Sequence, residues 1–412
     1  VNQAPEQIKQ KVLIVGAGFG GLTAASALAK KGNVEVTVID RHSYQLFSPL
    51  LYQVATGGLP EDDIAYPVRA AVPGVDFIRG EVIKVSTEAN NIRLEDGRVL
   101  YFDQLVFAVG SMGTTFGLPG VEENALQMKS LHEARAIRNR LLRTYEDVET
   151  GVKPKEALRV VVVGGGPTGV EISGAVAELQ KSMHREFPKM TENASVTLVE
   201  AGPRLLPSFG EKSSGRAQGD LEDLGVQVKV DSAVDRMYPS DVHLKSGEVL
   251  PAGTIIWAAG VAAPAEWNDL GETDRSNRLM VSDTLRLQSN VWVVGDVAHV
   301  AAEGKRPLPM VASVAMQQGR YVAASIEKIL GGEELKPFTY KDKGQMATIG
   351  RRRAVVELPN GPALHGTLAW LSWLALHVFY LAGGRNRISV IADWFWNYIS
   401  WGIGPKRPVI DE

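Results

Sequence analysis

The chain has 412 residues, 45% of them hydrophobic and 22% charged, with a net charge of −3. One core rarely organises more than about 250–300 residues, so two or three domains follow, and the near-neutral balance offers no basic surface for nucleic acid. Cysteine is absent, which excludes disulfides, cysteine-ligated metal clusters and any dithiol redox centre.

Residues Val1 to Gln10 are polar, and the first apolar run, Val12 to Val15, is too short for a targeting segment. That run reads as a buried strand. It opens the stretch KVLIVGAGFGGLTAASALAKKGNVEVTVID, Lys11 to Asp40. A strand enters Gly16-x-Gly18-x-x-Gly21, a small-residue helix follows, and a second strand, Val34 to Ile39, ends in Asp40. Gly16 makes the tight turn, Gly18 lets backbone amides approach a pyrophosphate, and Gly21 lets helix and strand pack closely. The pyrophosphate would sit on the helix N-terminus. Asp40 lies 19 residues past Gly21, placed to accept ribose hydroxyls.

Farther along, Asn91 to Phe102 has the pattern of a hairpin turning at Asp96-Gly97. Leu105 to Ser111 is a strand ending in small residues that let backbone approach a cofactor. Ser130 to Val148 reads as a charged surface helix.

A second fingerprint follows. Val160 to Val163 lead into Gly164-x-Gly166-x-x-Gly169, and the next strand, Ser195 to Val199, ends in Glu200. Glu200 lies 31 residues past Gly169, an excess that predicts a longer helix and a loop around His184 to Asn193. Its charge would repel a 2′-phosphate, favouring NADH over NADPH. Val242 to Leu250 repeats the hairpin form with Ser246-Gly247, and Ile255 to Val261 repeats the small-residue strand end. The two halves therefore share one order of elements, an internal duplication.

Asn290 to Val300 delivers Gly295-Asp296 at the end of a buried strand. In flavoproteins with two dinucleotide sites this motif serves the FAD ribityl and pyrophosphate, so the first fingerprint is assigned to FAD and the second to NADH. The expected architecture is α/β, with two Rossmann-like dinucleotide-binding domains and a C-terminal amphipathic helical membrane anchor. The boundaries are 1–112 with 262–350 for FAD, 113–261 for NADH, and 351–412 for the anchor.

The tail differs in composition. Five of the eight tryptophans lie in its last 43 residues, and 358–384 contains no charged residue. Its length would allow a span, but His365, Thr367, Ser372 and His377 weaken that reading. In the next segment Ser389, Asp393, Asn397 and Ser400 form one stripe at helical spacing, among Ile391, Trp394, Phe395, Tyr398 and Trp401. Such a helix suits the plane of a membrane interface, with Lys406 and Arg407 available to anionic lipid.

More specific segments carry a family resemblance. They are YQLFSPLLYQVATG (Tyr44 to Gly57), GPTGVE (Gly166 to Glu171), Ala312-x-x-Ala315-x-Gln317, and the strand segment Phe338 to Val356. On these the chain resembles the bacterial type II NADH dehydrogenases, single-subunit NADH:quinone oxidoreductases that pump no protons. The resemblance implies non-covalent FAD on Gly16, Gly18, Phe19, Gly20, Gly21, Asp40 and Arg41, with Val82, Ala108, Gly110, Asp296 and Ala315 around it. It implies NADH as substrate on Gly164, Gly166, Pro167, Thr168, Gly169 and Val170, with Glu171, Glu200, Ala259 and Gly260. No metal is implied.

Two residues would be catalytic by the same resemblance. Glu171 would assist hydride or proton movement near nicotinamide and flavin, although a carboxylate early in a helix also simply complements the dipole. Gln317 would bond a quinone carbonyl beside the isoalloxazine, with Gln318, Pro49, Leu50 and Tyr380 nearby. Pro49 and Leu50 equally suit plain core packing. A neutral amide is a poor proton donor, so water, a histidine or Glu171 must supply the quinol protons.

The implied partners are a membrane quinone (menaquinone or ubiquinone), the lipid surface at the cytoplasmic face of the cell membrane, and a second copy in a homodimer. A reductase of a soluble acceptor such as ferredoxin would share the fingerprints but has no need of the aromatic tail, and an NADH-sensing flavoprotein resembling apoptosis-inducing factor would share them but reduce quinones slowly and change its oligomeric state with NADH.

Overall fold

The computed structural model describes residues 9–190, 193–300 and 307–399. Two compact units account for the chain. The first comprises Val1–Leu46, Ala65–Met112 and Val261–Asp342; the second comprises Phe47–Ile64, Gly113–Gly260 and Lys343–Glu412. The sequence-derived boundaries fall near the glycine strand ends, whereas the contacts also group Phe47–Ile64 with the second unit.

The first unit is built on a six-stranded sheet. Its strand order is Arg286–Gln288, Val291–Val293, Gln104–Phe107, Gln10–Val15, Val34–Asp40, Asp76–Arg79. All neighbours pair in parallel except the first two. Parallel strands covered on both faces must be apolar throughout. Accordingly Val12, Ile14, Val38, Leu105, Val106 and Phe107 are all fully buried. The helices Phe19–Leu28 and Ala312–Leu330 pack on each other. Gly319 permits this, since a Cβ there would strike the Gly20 carbonyl oxygen.

The second unit repeats the plan with five parallel strands, ordered Leu126–Gln127, Thr254–Trp257, Arg159–Val163, Ser195–Val199, Val226–Lys229. Its fingerprint helix, Pro167–Met183, has 17 residues against 10 in Phe19–Leu28, the longer helix that the spacing to Glu200 predicts. Each unit carries a three-stranded antiparallel meander at the expected hairpins, Val82–Ser86 with Asn91–Leu94 and Val99–Tyr101, and Val234–Tyr238 with Asp241–Leu244 and Val249–Pro251. Gly97 and Gly247 turn them at φ +88° and +90°, a conformation open chiefly to glycine. Leu131–Glu149 is the expected surface helix, capped reciprocally by Ser130 and Glu133.

The tail completes the second unit. A three-stranded sheet, Gln345–Gly350, Arg353–Glu357 and Leu364–His365, packs on Pro167–Met183 on one side and carries the first tail helix, Gly366–Tyr380. The strand lies so close to the fingerprint helix that a Cβ on Gly174 would strike the Ile349 carbonyl. The second tail helix, Gly384–Ile399, contacts the turn Glu61–Asp63. Among the described residues no helix is long and apolar enough to cross a membrane.

Candidate active site

Both fingerprints fold into the same cradle. In the first, Gly16 has φ +104° and sits where a Cβ would strike the Ala108 carbonyl, while a Cβ on Gly21 would strike the Gly16 carbonyl. Gly18 begins the helix with no side-chain cap and open space above it. In the second, Gly164 has φ +113° against Ala258, Gly169 abuts the Gly164 carbonyl, and Gly166 is the open, uncapped residue, followed by Pro167. A helix start with no capping side chain and no Cβ over it is a ready anion site.

The acids at the ends of the second strands act alike. Asp40 accepts the Ala17 and His42 backbone N–H groups at 2.7 Å each. Glu200 accepts those of Gly165 and Gly202 at 2.5 and 2.7 Å. Each acid thus braces the residue after the first glycine and the residue two past itself. The two loops are braced alike, and these residues fit FAD in the first unit and NADH in the second.

Other expected FAD residues gather in the first unit. Asp296 accepts the Ser111 hydroxyl at 2.6 Å, and the Gly295 N–H donates to Gln318 Oε1 at 2.6 Å. Gly20 lies against Val294 and Ala315. Val82 and Ala108 are buried, Gly110 turns at φ +77°, and Arg41 is exposed beside Glu81 at 3.9 Å. Gln318 is 1% exposed, so its amide holds the Gly295 turn. Gln317 uses both ends of its amide on the Lys341 backbone, at 2.9 and 3.0 Å.

In the second unit Leu50 is fully buried and Tyr380 is 42% exposed. Ala259 and Gly260 end the Thr254–Trp257 strand, and the exposed Phe116 ring covers Gly260 where a Cβ would be. Phe116 and Gly117, at φ +52° and +66°, form the centre of a turn closed by the Leu118 N–H on the Thr115 carbonyl at 3.0 Å, a local signal that the sequence reading passed over.

Glu171 occupies the most distinctive setting. It lies one turn into Pro167–Met183 and lines a cavity of about 100 Å³ with Tyr52, Glu178, Thr348, Trp370, Trp373 and Trp394. Desolvation pushes its carboxyl up to about 8, against the Thr348 N–H and the Trp373 indole, which favour the anion. The Thr348 contact is long, 3.5 Å to Oε1. Trp373 is 1% exposed and its indole N–H has no regular hydrogen-bond partner among the described residues. Beside it, His377 stacks at 3.8 Å and bonds the Trp373 carbonyl through Nδ1 at 2.7 Å. Only a protonated Nδ1 can serve that acceptor, and burial pushes the imidazole down to about 4, so His377 is neutral and not an acid. Tyr52, Trp373 and Thr348 escaped the sequence reading because they reach Glu171 from separate segments of the chain.

The chain is similar to known proteins along most of its length. Residues 10–319 match the pyridine nucleotide-disulphide oxidoreductase family and residues 343–400 match the NDH2 C-terminal domain. The chain is 36% identical to a type II NADH:quinone oxidoreductase of Mycobacterium tuberculosis, over 94% of this chain and 86% of that protein. It is 31% identical to one of Staphylococcus aureus, over 85% and 90%. The NDH2 structure of Plasmodium falciparum in complex with NADH superposes with a TM-score of 0.88 at 21% identity, covering 97% of this chain and 100% of that one. The chain belongs to the type II NADH:quinone oxidoreductases.

This type II enzyme is a flavoprotein that moves electrons from NADH to a quinone. FAD, when bound, takes the two electrons of NADH and passes them on to the acceptor. The chain contributes no thiol to that transfer, since it has no cysteine; the dithiol chemistry in the broader family's name is unavailable here. The family also decides against the soluble-acceptor and sensor alternatives.

Proposed function

We propose that this enzyme works at the lipid surface, drawing a long-chain quinone from the bilayer, with Glu171 holding a proton for its reduction. The orientation of the tail helices carries this reading. On Gly366–Tyr380, Ala369, Trp370, Trp373 and His377 face the protein while Leu368 and Phe379 are 61% and 69% exposed. On Gly384–Ile399 the polar stripe turns inward. Asn386 donates to the Asp62 and Asp63 carbonyls, Trp394 to Gln53 Oε1 at 2.8 Å, and Asn397 to the Gly58 carbonyl at 2.9 Å. Ile388, Phe395 and Trp396 point away, 72%, 65% and 65% exposed. Ser400, Trp401, Lys406 and Arg407 lie outside the described residues.

A soluble protein rarely leaves so many large apolar side chains together in water, so the patch calls for an apolar partner. A quinone with a long isoprenoid tail remains in lipid, and its reductase must meet it there. At neutral pH Glu171 keeps its proton, and with Oε1 facing the Thr348 N–H the proton belongs on Oε2. Gln317 would exchange its bonds to Lys341 for a quinone carbonyl. The cytoplasmic face, where NADH is made, and a homodimeric assembly complete the reading.

The test pairs Ile388→Glu with Phe395→Glu in the full-length enzyme. Flotation with anionic vesicles should fall at least about tenfold, since each buried apolar side chain contributes roughly 1.5–3 kcal/mol. Turnover of a long-chain quinone in vesicles should fall with it, while turnover of a short, water-soluble quinone persists. Unchanged flotation would overturn the membrane reading.

A further inference from the structure

Near the centre of the second tail helix the Asp393 carboxyl faces that of Asp63. Asp63 is 4% exposed in the turn Glu61–Asp63, and its carboxyl meets the Ser389 hydroxyl and the Asp393 carboxyl of the helix. Its other oxygen, Oδ2, is buried with no hydrogen-bond partner among the described residues.

The charges around Asp63 are of its own sign. Asp393 faces it from the helix and Asp62 from the turn. The neighbouring cations are occupied elsewhere. Arg135 is paired with Glu61 at 2.7 Å, and Arg387 donates to the carbonyls of Leu381 and Phe379. A full carboxylate buried against a second carboxylate, with one oxygen unsolvated, is strongly disfavoured. One proton between the two groups turns repulsion into a hydrogen bond.

We propose that a proton on Asp63, held against the Asp393 carboxyl, latches the second tail helix onto the unit, so that raising the pH toward neutrality loosens it. The latch does not depend on what the enzyme reduces. Trp394 and Asn397 of the same helix line the cavity that contains Glu171, so release would open one wall of that cavity.

The sign follows from linkage. Burial, opposed by the Ser389 bond and aided by Asp393 and Asp62, raises the Asp63 carboxyl from 3.8 to about 7. The docked helix therefore retains a proton that the undocked chain has lost. Docking is strongest near pH 4, weakens as the pH climbs toward about 7, and levels off above that value.

Hydrogen exchange of the full-length holoenzyme, corrected for the intrinsic pH dependence of exchange, tests this. Protection of peptides spanning Gly384–Ile399 should fall about tenfold between about pH 6 and about pH 8. Asp63→Asn should remove that dependence and hold protection constant within about twofold. Asp393→Asn provides the same test from the helix side if the first variant does not fold. Constant protection in the unaltered enzyme, or a tenfold fall that survives in the Asn variants, would overturn the latch.

Discussion

In the first unit the fingerprint helix is backed by another helix, and in the second by a strand. The two loops match in detail, including the acids that brace the Ala17 and Gly165 amides. The backings differ. Helix Ala312–Leu330 brings Gln318 to the Gly295 turn. Strand Gln345–Gly350 brings the Thr348 N–H to Glu171 and carries the sheet on which Trp370 of the first tail helix packs. A duplicated cradle thus serves two purposes: its common part binds dinucleotide, and the part behind it decides whether a titratable group is present. Glu171 has no counterpart in the first fingerprint, where Thr23 occupies the equivalent place, two residues after the last glycine, and bonds the Phe19 carbonyl.

The comparison can be broken most severely at the two close approaches. Gly174→Ala and Gly319→Ala each place a Cβ on a backbone carbonyl oxygen, of Ile349 and Gly20 respectively. Each should cost about 3 kcal/mol in denaturant unfolding, at the upper end of overpacking penalties. Gly174→Ala should also depress quinone turnover more than flavin content, and Gly319→Ala the reverse.

Glu171→Gln removes the proton and keeps the shape. Quinone turnover should drop about a hundredfold, the lower range for a positioned acid. In the unaltered enzyme turnover should hold below about pH 8 and decline above it, as the carboxyl loses its proton. The Gln variant should show no such decline, and steady-state NADH oxidation across that range reads both outcomes. A decline of equal depth in the variant would remove Glu171 from the proton supply.

The smallest effect separates the two acids. Glu200→Gln should narrow the preference for NADH over NADPH roughly five- to tenfold in kcat/KM, for one lost charge repulsion of about 1 kcal/mol near water. Asp40→Asn should lower the flavin absorbance per protein and leave that preference unchanged. A shift in preference from Asp40→Asn would reverse the assignment of cofactors to units.

Much of this molecule could be read along the chain. Strand, glycine turn, helix, strand and acid lie within short stretches, and pyrophosphate is bound by backbone amides whose geometry the glycines dictate. The hairpins at Gly97 and Gly247 and the capping box at Ser130 are local in the same sense. Leu50 and Gln318 show where such reading stops, because their burial, 0% and 1% exposed, depends on the surrounding fold and not on neighbouring residues in the chain.

The sequence by itself determined two dinucleotide cradles, the identity of their acids, the absence of thiol chemistry, and an aromatic tail. Tertiary structure alone decided that residues as distant as Tyr52, Glu171, Thr348 and Trp373 share one cavity, and that the polar stripe of the last helix faces the protein while its apolar side faces out. The physical reason is the range of the forces involved. Backbone geometry is settled within a few residues, but helical periodicity only defines two faces. Which face turns inward depends on partners such as Asp63 and Gln53, more than three hundred residues away.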